Sequence, residues 1–204
     1  MTQILTEQAI EPAVRAWTRL LRAYALTTRL LSAELQEAHG LTINDFEVSY
    51  LAGTFKGHFN EIAAELAVDD ERATLEGTTK VASIDVNEEN LSAHLQSPDF
   101  FDAEQYPELR FTAEDIRLDG DGQVSVDGDL TIKGITQPVT VTGTVTAPMS
   151  DPYGTERIGL NLTTKVDRTN FGINWNNPLP SGEPSLANDV TILAELQFVK
   201  QGES

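Results

Sequence analysis

The sequence predicts a mainly β protein, an antiparallel meander closed into a barrel or folded as a sandwich, preceded by an amphipathic α-helical segment. Three observations carry this reading. Apolar residues recur at helical spacing before about residue 50 and at every second position after it. Clusters of Gly, Pro, Asp and Asn separate the alternating runs, and these residue types make turns. After the opening segment, the stretch from Asn87 to Pro107 is the one that departs from the period of two.

The opening segment comes first. Ile10, Val14, Trp17, Leu21, Tyr24, Leu31 and Leu35 follow steps of four and three, with Thr28 as the one polar member, the seam of an amphipathic helix. Leu20, Leu26 and Leu30 widen that stripe, which favours ordinary packing over a strict coiled coil. Pro12 suits a first turn and Gly40 a left-handed stop. Thr42 with Asp45 three residues on then reads as a new cap. It predicts helix continuing to about Leu51, with a strand through Phe46, Val48 and Tyr50 as the alternative. The apolar stripe predicts a partner, either the barrel or the same helix of a second subunit in a homodimer.

Strands follow. Val124, Val126, Leu130 and Ile132 alternate with polar residues, as do Ile158, Leu160, Leu162 and Val166, and then Val190, Ile192, Ala194, Leu196 and Phe198. Each run predicts one buried and one solvated face. Val139 and Val141 begin another. Turn signals lie at Asp119–Gly122, Gly134–Pro138 and Asp151–Gly154. Leu91 and Leu95 predict a short helix in the aperiodic stretch, ended near Ser97 because the residue before Pro98 avoids helical geometry. Phe100, Phe101 and Tyr106 then need burial, and the end of the barrel is the expected place. The units predicted are a helical segment over residues 1–51, a β-barrel domain over 52–200 and a tail over 201–204.

Composition narrows the function. With 14 basic and 32 acidic residues among 204, the net charge is −18. Such a surface repels phosphate backbones, so no nucleic acid is expected as a partner. The four arginines of the helical segment are outnumbered by six acids over residues 1–52. No cysteine is present, which excludes disulfides and thiolate chemistry. The absence of a basic, apolar leader and of a run near 20 apolar residues predicts a cytoplasmic protein without membrane insertion.

Long collinear motifs resemble one family. SIDVNEENLSAHLQSPDFFDAEQYPELRFT (Ser83–Thr112) is similar to the central signature of YceI-type lipid-binding proteins. GDLTIKGITQPVTV (Gly128–Val141), DPYGTERIGLNLTTKVDRTNFGINWN (Asp151–Asn176) and GTFKGHF (Gly53–Phe59) match further stretches in order. The resemblance implies an eight-stranded antiparallel lipocalin-like barrel whose lumen takes polyisoprenoids or other long-chain amphiphiles. Two departures stand out. Gln96 replaces the arginine that follows the family's AHL triplet, and the family's long first strand is not evident, which leaves a barrel edge to be covered. Ala16–Val48 resembles instead the first two helices of MarR-type regulators, without their DNA-reading part.

Catalytic and metal sites find little support. His94, followed by Asp99 and Asp102, is the best metal candidate, but a lone histidine is more often structural. Ser97 lies three residues from His94 with no orienting third group. Asp69 with Asp70 and Glu88 with Glu89 fit turns and caps. The acids around Asp119 to Asp129 lack calcium-loop spacing. No enzyme activity, metal or cofactor is therefore expected.

What remains is an inward apolar face. Phe111, Leu130, Ile132, Leu160, Leu162, Phe171, Trp175 and Leu196 either fill a core or line a pocket. A barrel of eight strands leaves both open. Phe100, Phe101 and Tyr106 are placed in a loop over the mouth. The function expected is non-enzymatic binding or sequestration of an apolar chain ligand of polyisoprenoid, quinone or fatty-acyl type. The alternative is a regulatory or interaction protein whose helical segment dimerises or holds a partner while the barrel senses a ligand.

Overall fold

The computed structural model describes residues 44–50, 53–69, 72–86, 88–114, 116–118, 122–146 and 148–199. The helical and MarR-like expectations for residues 1–43, and the tail at 201–204, lie outside the described residues.

The chain forms one antiparallel sheet. Its strands are β1 (Asn44–Tyr50), β2 (Gly53–Phe59), β3 (Ile62–Asp69), β4 (Arg72–Lys80), β5 (Ile84–Asp85), β6 (Glu108–Ala113), β7 (Arg117–Leu118), β8 (Gln123–Ile132), β9 (Ile135–Val145), β10 (Met149–Ser150), β11 (Glu156–Asp167) and β12 (Leu186–Val199). They are ordered β3-β4-β6-β8-β9-β11-β12-β1-β2-β5, with β7 on β8 and β10 on β11. β3, at one end of this path, contacts β12, so the sheet curls round upon itself. The resemblance implied eight strands; twelve are present among the described residues, three of them only two residues long.

Alternation explains the long strands. Val124, Val126, Leu130 and Ile132 on β8 are buried, as are Ile158, Leu160, Leu162 and Val166 on β11. The eleven-pair ladder between β11 and β12 sets Leu160 against Leu196 and Leu162 against Ala194.

Residues 46–50 correct the helical expectation. Asn44–Tyr50 is a strand, inserted between β12 and β2. Phe46 pairs with Ile192 and Gly57, and Val48 with Val190 and Phe55. A strand with ladders on both sides satisfies its backbone more fully than a short capped helix, so the long-range pairing overrides the Thr42 signal. β1 also supplies pairing where an uncovered edge was expected.

Turns are tighter than the sequence suggested in one place. Ile132 pairs with Ile135, leaving a two-residue hairpin of Lys133 (φ 51°) and Gly134 (φ 72°). Left-handed φ at both positions matches the twist of the flanking strands. Ile135 to Pro138, read as part of the turn, belong to β9. The Asp151–Gly154 turn holds as expected: the Asp151 carboxylate accepts from Tyr153 N and Thr155 N, both at 2.9 Å, and from Arg157 Nε at 3.0 Å. These donors, led by the Thr155 amide, hold its carboxyl below the usual carboxylate range.

The short helix α1 spans Glu89–Gln96. Glu88 caps it through bonds from Asn90 N and Leu91 N, and it stops at Ser97 before Pro98. A 3₁₀ turn, Arg168–Phe171, follows β11 and ends at Gly172 in the left-handed region.

Candidate functional site

The curled sheet encloses an apolar cavity of about 400 Å³, within the range of small-molecule sites. Two groups of buried side chains meet along it. One gathers beneath α1, including Phe46, Phe59, Leu95, Phe100 and Phe171. The other lies toward the far ends of β4, β8 and β11, including Leu75, Val126, Leu160 and Leu162. The cavity touches members of both groups, so it runs lengthwise through the fold.

Of the residues singled out from the sequence, Phe111, Leu130, Ile132, Leu162, Phe171, Trp175 and Leu196 line the cavity, as do Phe100 and Phe101. Leu160 does not. It is 4% exposed and packed in the second group, one inward step along β11 from Leu162. Strand parity shows a face but not a depth along it. Tyr106, placed in the loop over the mouth, lies over the Lys133–Gly134 hairpin, where a Cβ on Gly134 would come within 2.6 Å of its ring, and is not part of the lining.

The structure adds residues that hydropathy overlooked. Gly77 lines the cavity. Ala73 and Leu75 on the same strand are buried while Thr74 and Glu76 are exposed, so position 77 falls on the inner face. A Cβ built there meets nothing within 4 Å. The inward glycine leaves open space on this part of the wall, where a strand glycine marks a bulge, a bend or the close approach of a ligand or another backbone. By contrast, a Cβ on Gly57 would strike Phe46 and Val86 at 2.5 Å, so that glycine serves packing.

Two polar groups of the lining, His94 and Arg168, lie at the α1 end. His94 lines the cavity, with Nε2 on Asp99 Oδ2 at 3.1 Å. Its ring meets Phe100 and Trp175 edge-on at 5.1 Å each, and Phe100 lies 5.2 Å from Trp175. Asp102, proposed beside it as a metal ligand, is buried with its backbone N–H on Ser97 O and does not join the His94–Asp99 pair. The Ser97 hydroxyl is buried without a hydrogen-bond partner, and the His94 ring bonds to Asp99 instead.

Arg168 lies in the same region, 5% exposed and part of the lining. Its Nε donates to Ala187 O at 2.9 Å, and Nη1 to Ile173 O and Trp175 O at 2.8 Å each. Nη2 reaches Asn188 Oδ1 at 3.4 Å. Burial lowers its pKa from the ordinary arginine value, yet a guanidinium stays protonated in proteins.

The YceI-like domain model matches residues 32–198. A UPF0312 protein of Pseudomonas putida is 34% identical over 163 residues, covering 74% of this chain and 85% of that protein. A UPF0312 protein of Pseudomonas syringae pv. tomato is 33% identical over 174 residues, covering 78% and 88%. Among solved structures, the Campylobacter jejuni YCEI protein is similar with a TM-score of 0.64 at 25% identity, covering 74% of this chain and 87% of that one. Burkholderia cenocepacia BcnA shares the fold with a TM-score of 0.66 at 22% identity, covering 77% and 96%. A polyisoprenoid binding domain from Saccharophagus degradans shares it with a TM-score of 0.59 at 11% identity, covering 89% and 99%.

Proposed function

Since the chain belongs to the YceI-like family, we propose that it binds an apolar chain molecule inside the curled sheet and holds it without transforming it. The observation that carries this reading is the cavity, about 400 Å³ walled almost wholly by apolar side chains. Each buried methylene contributes about 0.8 kcal/mol, so a dry tunnel retains a long chain without polar contacts. A polyisoprenoid, a quinone tail or a fatty-acyl chain all fit that chemistry. The likeness in fold to a polyisoprenoid binding domain supports the same class.

Native mass spectrometry of the protein purified from cells tests the proposal. A mass increment that organic extraction removes, and that a long-chain lipid restores, is the result expected. Apoprotein that takes up no apolar chain at any ratio contradicts it.

A further inference from the structure

A plain hydrocarbon makes no use of the polar groups at the α1 end. Arg168 brings a buried positive charge into a mainly apolar wall, to which Asp45, Arg110 and four threonines also contribute, and burying a charge is costly unless an opposite charge meets it. Among the described residues no carboxylate forms an ion pair with Arg168. The adjacent Asp167 carboxylate accepts instead from Thr169 N and Oγ1, at 2.8 and 2.6 Å. Three carbonyls take Nε and both Nη1 hydrogens, while Nη2 has only the long 3.4 Å contact to Asn188. The guanidinium thus keeps donor capacity on Nη2, and Asp167 acts on its charge without forming an ion pair with it.

Trp175 links this group to His94, which also lines the cavity. Its carbonyl accepts from Arg168 Nη1 at 2.8 Å, and its ring stands 5.1 Å from that of His94. Arg168 and His94 therefore flank one residue at one end of the cavity. On a surface of net charge −18 an exposed cation would attract anions weakly. Inside a low-dielectric wall the same charge acts more strongly.

We infer that the α1 end is a subsite for an anionic oxygen head group, a carboxylate in the simplest case, with the apolar chain running toward Leu162 and Leu196. The inference rests on the proposed binding of an apolar chain in this cavity. A guanidinium that only staples Ala187, Ile173 and Trp175 together would treat charged and neutral chains alike.

The full-length protein is stripped of lipid and titrated with palmitic acid and with methyl palmitate, each displacing a hydrophobic fluorescent probe. One charge-assisted hydrogen bond predicts a preference for the acid of about tenfold or more, falling to near parity in Arg168→Gln. Palmitic acid carrying a diazirine beside the carboxyl is also cross-linked to the unmutated protein, so a misfolded variant does not decide the matter. Labelling within residues 91–95 or 171–175 supports the subsite. Equal affinities for acid and ester, or head-group labelling on β3 or the start of β11, overturn it. If methyl palmitate and palmitic acid both fail to bind the unmutated protein, the cavity reading itself falls, and the subsite with it.

Discussion

His94 stands edge-on to Trp175, with ring centroids 5.1 Å apart and ring planes at 90°. The pair joins α1 to the segment that follows the 3₁₀ turn, two pieces of chain 81 positions apart with no shared strand. Phe100 completes the cluster, and all three residues line the cavity. The α1 end of the cavity is thus lined by ring contacts, which part more readily than a hydrogen-bonded ladder.

Removing the imidazole should loosen that end. His94→Ala is expected to cost about 1 kcal/mol of stability, the scale of an edge-on aromatic pair, and to speed release of a bound chain. His94→Phe should restore most of both. Denaturant midpoints and stopped-flow displacement of a fluorescent lipid check this, and an unchanged release rate in His94→Ala would contradict it.

Leu160 and Leu162 share a face of β11 but should behave differently. Leu160→Ala is expected to lose about 2–5 kcal/mol of stability while the folded fraction keeps its affinity for an apolar probe. Leu162→Asp should abolish probe binding, because a charge in a dry cavity is very costly. Titrations below each variant's unfolding transition separate the two, and equal loss of affinity would count against the placement of Leu160.

Gly57→Ala should destabilise the sheet by about 1–3 kcal/mol, the usual cost of overpacking, since its Cβ would meet Phe46 and Val86 at 2.5 Å. Chemical denaturation measures the shift. A wild-type midpoint would contradict the close packing of β1 on β2.

Acid should weaken the protein partly through Asp151. Hydrogen bonds from Thr155 N, Arg157 and Tyr153 N hold its folded carboxyl below the usual range, so the unfolded chain takes up the proton first. The contribution is complete above the ordinary carboxylate range and is lost as pH falls through it toward the folded value. Asp167, bonded by Thr169, acts in the same direction. Melting temperature followed against pH should therefore drop less steeply in Asp151→Asn; parallel acid limbs would exclude this role.

The residues show what a sequence can reveal here. Val124, Val126, Leu130 and Ile132 declare their strand because alternation is a local property. Phe46 and Val48 alternate too, but the Thr42 cap competes there, and the choice rests on Ile192, Val190 and β2, partners set by the fold. Leu160 and Leu162 look alike in the sequence, since parity reports a face while cavity lining depends on position along the tunnel. Gly77 carries no hydropathy signal at all, although its place two residues beyond Leu75 could have marked it as inward. Arg168 carries no sign of burial in the sequence, because the carbonyls of residues 173, 175 and 187 reach it only through the fold.

Gly77→Leu is the most direct test of the central claim. Position 77 faces the cavity, and a Cβ there meets nothing within 4 Å, so the new side chain should occupy the tunnel without disturbing the wall. A strand glycine is itself mildly unfavourable, so the variant should be at least as stable as the wild type. The measurement is displacement of a hydrophobic fluorescent probe by a long-chain lipid, beside thermal unfolding of the same samples. The account predicts an intact, equally stable protein whose lipid affinity falls at least tenfold, the loss of roughly two buried methylenes. A stable Gly77→Leu protein that binds the lipid as tightly as the wild type would contradict it.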